Sequence, residues 1–207
     1  MKLLFYTTGI LILTLGIALT VQSDLGASPF DALLVGLESS VGLTAGSWEV
    51  IIGFLLIGLN AMLEKKRPDV LALFTSFTTG AGIDLWLFIC RQYVVPDGII
   101  SKLLCFGAGL FFIGLGTAVY LQAEFAPNPI DLLTLVLKKL LNASIFLSRT
   151  VIYVICLILS LLFQGPVGIG TLLTVAFGGA VLNFCMPVAE KVYRRLAKNS
   201  DHEQSAV

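Results

Sequence analysis

Uncharged apolar stretches alternate along this chain with short charged clusters, and the clusters mark where the stretches end. Residues 3–23 carry no charge. At about 1.5 Å per residue such a stretch crosses a hydrocarbon core of about 30 Å as a helix. It is read as an uncleaved first helix, because the apolar run is long and no A-x-A site follows it. Further long helices are predicted over residues 47–63, 70–90 and 103–123. Residues 150–189 are free of charge, and the turn formers at 164–168 divide them into two helices. Residues 191–207 read as a basic, then polar and disordered tail that carries the single histidine, His202.

Two segments break the rhythm. Residues 29–43 and 129–142 look helical, but each carries charge: Asp31 and Glu38 in one, Asp131, Lys138 and Lys139 in the other. About 14 residues of helix reach only about 21 Å. Both are read as half-helices, re-entrant or lying low in the membrane.

Composition turns these stretches into a class. Of 207 residues, 57% are hydrophobic and 13% charged, against about 25% charged in soluble domains. Mean hydropathy is +0.96. A soluble fold of this size could not cover so much apolar surface. The reading is an all-α integral membrane bundle. A soluble enzyme is excluded, and so is a nucleic-acid binder, since net charge is zero. Cys90, Cys105, Cys156 and Cys185 lie in or beside apolar stretches without a C-x-x-C pair, so they are read as small hydrophobes. Neither a metal nor a cofactor is expected.

The strongest signal is an internal repeat at an offset of 100 residues, without gaps. Lys2-Leu3-Leu4 recurs as Lys102-Leu103-Leu104. Gln22 matches Gln122, Asp24 matches Glu124, Pro29 matches Pro129 and Asp31 matches Asp131. Residues 1–100 and 101–190 therefore form two repeats, each with three transmembrane helices and one half-helix. If the half-helices do not cross, the repeats are inverted, and 11 of the 13 basic residues, with both termini, lie in the cytoplasm. If all eight segments cross, the repeats are parallel and residues 65–67 are stranded outside. The inverted arrangement is preferred, because equivalent loops (65–67 and 164–167) differ in charge as inversion requires.

The duplicated segments carry the candidate chemistry. Ser28-Pro29-Phe30-Asp31 and Asn128-Pro129-Ile130-Asp131 each read as a helix start: Ser or Asn as N-cap, Pro in the first turn, Asp answering back to the cap. Located inside a membrane, the same features place free N–H groups and a carboxylate at the repeat interface, where inverted-repeat transporters bind their solutes. The candidate set is Ser28, Asp31, Asn128 and Asp131, with Gln22, Gln122, Asp24, Glu124 and the mid-helix Asp84. Glu49 and Arg149 occupy equivalent positions after the half-helices and are expected either to pair across the interface or, at their helix ends, to snorkel to water. Small-residue stripes at Ser76/Gly80, Thr174/Gly178 and Ala176/Ala180 predict close helix packing. Gly165-Pro166-Val167-Gly168-Ile169-Gly170-Thr171 lacks the G-K-[ST] of a phosphate loop and reads as a tight turn.

At these motifs the chain resembles the YczE/YyaS/YitT family of bacterial multi-pass membrane proteins, above all its YczE branch. The resemblance rests on Leu25-Gly26-Ala27-Ser28-Pro29-Phe30-Asp31, on Arg149-Thr150 and on the glycine-rich segment 165–171. Segment 125–131 departs from the family's L-G-x-G-P-x-D, and Tyr153 stands where the family often has Glu. The resemblance implies a protein of the bacterial cell (inner) membrane and leaves its activity open.

Two functions fit. The first is a small secondary transporter or permease. The mostly acidic interior favours a cationic or amine solute, or a proton. The second is a non-transporting component that supports other membrane machinery, and a homo-oligomer fits either. An enzyme is not expected, since no nucleophile–base set is visible. A polar cavity between the repeats favours the transporter, and a solid apolar interface the other.

Overall fold

A computed structural model describes the backbone of residues 2–204 and the side chains of residues 2–196. Among the described residues eight helices follow one another: α1 (Lys2–Gln22), α2 (Pro29–Val41), α3 (Ala45–Glu64), α4 (Val70–Tyr93), α5 (Ile99–Leu121), α6 (Pro129–Leu140), α7 (Ile145–Leu162) and α8 (Ile169–Gln204). No strand occurs among the described residues. Six helices are long and apolar enough to cross a membrane. The exceptions are α2, with 13 residues, and α6, with 12.

Local chemistry sets these boundaries. Ser28, Thr44, Asp69, Asn128 and Ser144 cap the helices they precede, each accepting a backbone N–H from the first turn. Behind α2 the chain turns through Gly42 at φ +96° and Leu43 at +64°, and behind α6 through Asn142 at +47°, so neither half-helix can continue. The tail expected to be disordered from Lys191 onward instead extends α8 to Gln204; residues 205–207 lie outside the described residues.

The centre of the bundle is the α1–α5 pair. A Cβ at Gly9 would strike the Tyr120 backbone, and one at Gly16 the backbone of Ile113 and Gly109. One at Gly116 would strike Leu13 and the Gly9 carbonyl. As the position on α1 advances from 9 to 16, its partner on α5 retreats from about 116–120 to 109–113, so the two helices run antiparallel. Lys2 pairs with Glu124 at one end (2.7 Å) and Lys102 with Asp24 at the other (2.5 Å).

Around this pair, α4 packs on α1 and α8 on α5, while α2 packs on α7 and α6 on α3. The two glycine-containing family motifs meet: Ala27 N–H donates to the Pro166 carbonyl (3.1 Å), and Gly170 N–H to the Leu25 carbonyl (2.7 Å). The glycine-rich segment is thus a clasp on the loop ahead of α2. A Cβ at Gly26, where φ is +107°, would run into Gly168 and Thr171, so this loop needs glycine for both its backbone angle and its neighbour.

Candidate functional site

Each half-helix begins beside the later turns of a neighbouring helix or the loop that follows it. The Pro129 carbonyl accepts from Asn60 Nδ2 of α3 (3.0 Å). On the other side, a Cβ at Gly165 would strike the Ala32 carbonyl and Ser160 of α7. The first turns of α2 and α6 therefore converge on one cavity of about 360 Å³. Ser28, Asp31, Asn128, Asp131, Glu49 and Arg149 all line it. Such a volume falls within the usual range for small-ligand sites, about 300–1,000 Å³.

The polar groups are tightly organised. Ser28 Oγ accepts from Asp31 N–H (3.2 Å) and donates to Asp31 Oδ2 (2.5 Å), so the Asp31 carboxylate answers the cap through the Ser28 hydroxyl rather than through the Ser28 backbone N–H. Asn128 Oδ1 accepts from Ile130 N–H (3.2 Å), and its Nδ2 donates to Glu49 Oε1 (2.7 Å). Arg149 Nη2 donates to Asp131 Oδ1 (2.9 Å), and its guanidinium lies 5.6 Å from the centre of the Tyr153 ring. Glu49 is only 1% exposed and Asp31 8%. Among the described residues neither carboxylate has a cationic partner within salt-bridge distance; the cavity's ion pair is Arg149 with Asp131.

The direct Glu49–Arg149 pair expected from the sequence is not made. The reason is the difference between the two cap residues. Asn128 carries a donor on a longer side chain and reaches Glu49, whereas the short Ser28 hydroxyl turns to its own Asp31. Arg149 then closes on the carboxylate next in space, Asp131.

The remaining candidates lie elsewhere. Asp24 and Glu124 hold Lys102 and Lys2 at opposite ends of the α1–α5 pair. The Lys2 ammonium bonded to Glu124 holds that carboxyl below its ordinary range. Gln122 Nε2 donates back to the Ala118 carbonyl (3.3 Å), and Gln22 does not line the cavity. Asp84 accepts from Gly46 N–H (2.8 Å) and Thr44 Oγ1 (2.6 Å), so it ties α4 to the start of α3. It lines a second cavity with Glu38 and Arg91.

Sequence reasoning passed over Tyr120 and the lining threonines Thr75, Thr79 and Thr117, and took Thr174 only as a packing residue. Their signal is polarity inside otherwise apolar spans, which is weak because a mid-helix threonine can also satisfy its hydroxyl on its own helix. Thr174 does so, donating to the Gly170 carbonyl (2.9 Å).

Among the described residues, six apolar helices around a cavity that carries several polar side chains on a mostly apolar wall define a multi-pass α-helical membrane protein. A family model matches residues 1–187, and the chain belongs to that family, a family of unknown function (DUF6198). It is 54% identical over 199 residues to the "Uncharacterized protein YyaS" of Bacillus subtilis (strain 168), covering 96% of this chain and 98% of that protein. To the "Uncharacterized membrane protein YczE" of the same organism it is 32% identical over 184 residues, covering 88% and 84%. An "Uncharacterized protein" of Haemophilus influenzae is 26% identical over 191 residues, covering 87% and 81%. The resemblance read from the motifs thus holds, with YyaS at higher identity than YczE. No solved structure matches.

Proposed function

We propose that this protein is a small-solute transporter whose site is the cavity between two inverted repeats, and that its solute is a cation or amine. One observation carries the reading: both copies of the Ser/Asn-Pro-x-Asp motif, distant in sequence, line a single polar cavity together with Glu49. A solid apolar interface would have favoured a non-transporting component. Carboxylates outnumber the guanidinium: Asp131 is matched by Arg149, while among the described residues no cation lies within salt-bridge distance of Asp31 or Glu49. A buried carboxylate that has hydrogen bonds but no counter-charge is costly, and a bound cation lowers that cost.

Several observations support inversion. The antiparallel α1–α5 pair is what inverted halves require and parallel halves forbid. Lys2–Glu124 and Lys102–Asp24 are the same ion pair at offset positions. Left-handed turns recur at Asp24 and Glu124, at Leu43 and Asn142, and at Lys65 and Gln164. With six spans, the positive-inside rule puts residues 65–67 and both termini in the cytoplasm of a bacterial inner membrane.

The test is uptake of radiolabelled ethylamine into liposomes reconstituted with the purified protein. Saturable uptake absent from empty liposomes is expected. Binding without uptake points to the non-transporting alternative, and neither binding nor uptake refutes the site.

A further inference from the structure

Equivalent helix pairs of the two halves are packed in opposite ways. In the first half, α3 lies tightly on α4. A Cβ at Gly46 would strike the Gly80 carbonyl, one at Gly80 the Gly46 carbonyl, and one at Gly53 the Ser76 side chain. In the second half, α7 and α8 do not pack along their length. At the 100-residue offset, Gly46 corresponds to Phe146 and Gly53 to Tyr153. With the one-residue gap that aligns Asp84 with Asn183, Gly80 corresponds to Gly179. A Cβ at Gly179 meets nothing within 4 Å, and one at Gly178 meets only Thr174 of its own helix, at 4.0 Å. The small-residue stripe is present on α8, but its partner surface has been replaced by two rings.

This unpacked seam is a wall of the polar cavity. Ile145, Phe146, Val175 and Leu182 line the cavity together with Gly178 and Gly179. Phe146 is 76% exposed. The seam is therefore apolar at its rim and faces the surface where lipid chains lie, while Glu49 and Asp31 sit on the inner wall.

We propose that the α7–α8 seam is a side door from the bilayer, and that the ligand is an amphiphile with an amine head and an alkyl tail. The head binds among Glu49, Asp31 and the Arg149–Asp131 pair. The tail leaves between α7 and α8 and stays in lipid. Phe146 and Tyr153 keep the door open by occupying the space that Gly46 and Gly53 leave free in the first half. This proposal rests on the reading of the cavity as a cation site and names both the class of ligand and its route.

The test is equilibrium dialysis of a series of primary n-alkylamines, from ethylamine to dodecylamine, against the full chain in lipid nanodiscs, with uptake by empty nanodiscs subtracted. Affinity, referred to free aqueous amine, is expected to rise at least tenfold along the series. Gly179→Trp, which fills the seam, is expected to remove most of that gain; Gly178→Trp serves if the first variant does not fold. Gly58→Trp places the same bulk where a Cβ on α3 also meets nothing within 4 Å, and is expected to keep the gain. Equal affinity for short and long amines, or a gain that survives the folded tryptophan variant at the seam, overturns the side door and leaves the cavity reading standing. Binding of no amine at all overturns both.

Discussion

Asn128 donates a 2.7 Å hydrogen bond to Glu49, joining the cap of half-helix α6 to a carboxylate of α3 that is only 1% exposed. The same amide accepts the Ile130 N–H, so one side chain both starts a helix and satisfies a buried acid. Removing a partner from a buried charged acceptor typically costs about 1.5–3 kcal/mol. Asn128→Ala is therefore expected to lower the melting temperature clearly, whereas Glu49→Gln, which keeps an oxygen for the amide, is expected to lower it little. Thermal unfolding of the two purified variants checks this, and the reverse order of effects would contradict it.

Arg149 and Asp131 make the cavity's ion pair. Their side chains remain 41% and 35% exposed, so solvent screening limits the pair to about 1 kcal/mol. Arg149→Gln and Asp131→Asn are each expected to be mildly destabilising and less than additive in the double variant. Exchanging Asp131 and Arg149 should restore part of the loss, and exchanging Glu49 and Arg149 should restore none. A double-mutant cycle on melting temperatures decides between the two pairings.

Much of the architecture is legible in the sequence because charge is expensive in lipid. The charged clusters at 64–69 and 91–102 end spans close to where α3, α4 and α5 end or begin. Proline and interior charge set α2 and α6 apart as half-helices. The site is only partly legible. Asp24 and Asp31 are seven residues apart in the same motif, but the left-handed turn at Asp24 sends the first to Lys102 at a helix end and the second into the cavity. Asp84 looks like an intramembrane acid and is instead a bond between α4 and the first turn of α3. The Glu49–Arg149 expectation failed because matched spacing in sequence relates positions, not side chains: Asn128 reaches Glu49, whereas the shorter Ser28 turns to its own Asp31. The α8 stripe at Thr174 and Gly178 promises close packing against another helix, yet a Cβ at Gly178 meets only Thr174 of its own helix.

Topology can be tested independently of any ligand. In a background without the four native cysteines, a cysteine at Lys66 is expected to resist an impermeant thiol reagent in intact cells, and one at Asp97 to react. Both residues lie outside the helices, Lys66 between α3 and α4 and Asp97 between α4 and α5. Labelling of the Lys66 position from outside would contradict the six-span arrangement.

Asp31 answers its own cap through Ser28. If that were all it did, Asp31→Asn would cost about 1 kcal/mol or less, because an oxygen remains in place. The same small change in stability is expected here, together with weakened amine binding, since the substitution removes a charge facing the cavity.

If the buried carboxylates hold a cationic ligand, Glu49, the most deeply buried of them, is the one whose charge the ligand needs most. Ethylamine binding to Glu49→Gln protein in nanodiscs, beside the parent chain and with both melting temperatures recorded, is the measurement. At least a tenfold loss of affinity, about 1.4 kcal/mol, is expected in a protein that still melts near the parent temperature. Unchanged binding in Glu49→Gln, with the parent binding well, would contradict it.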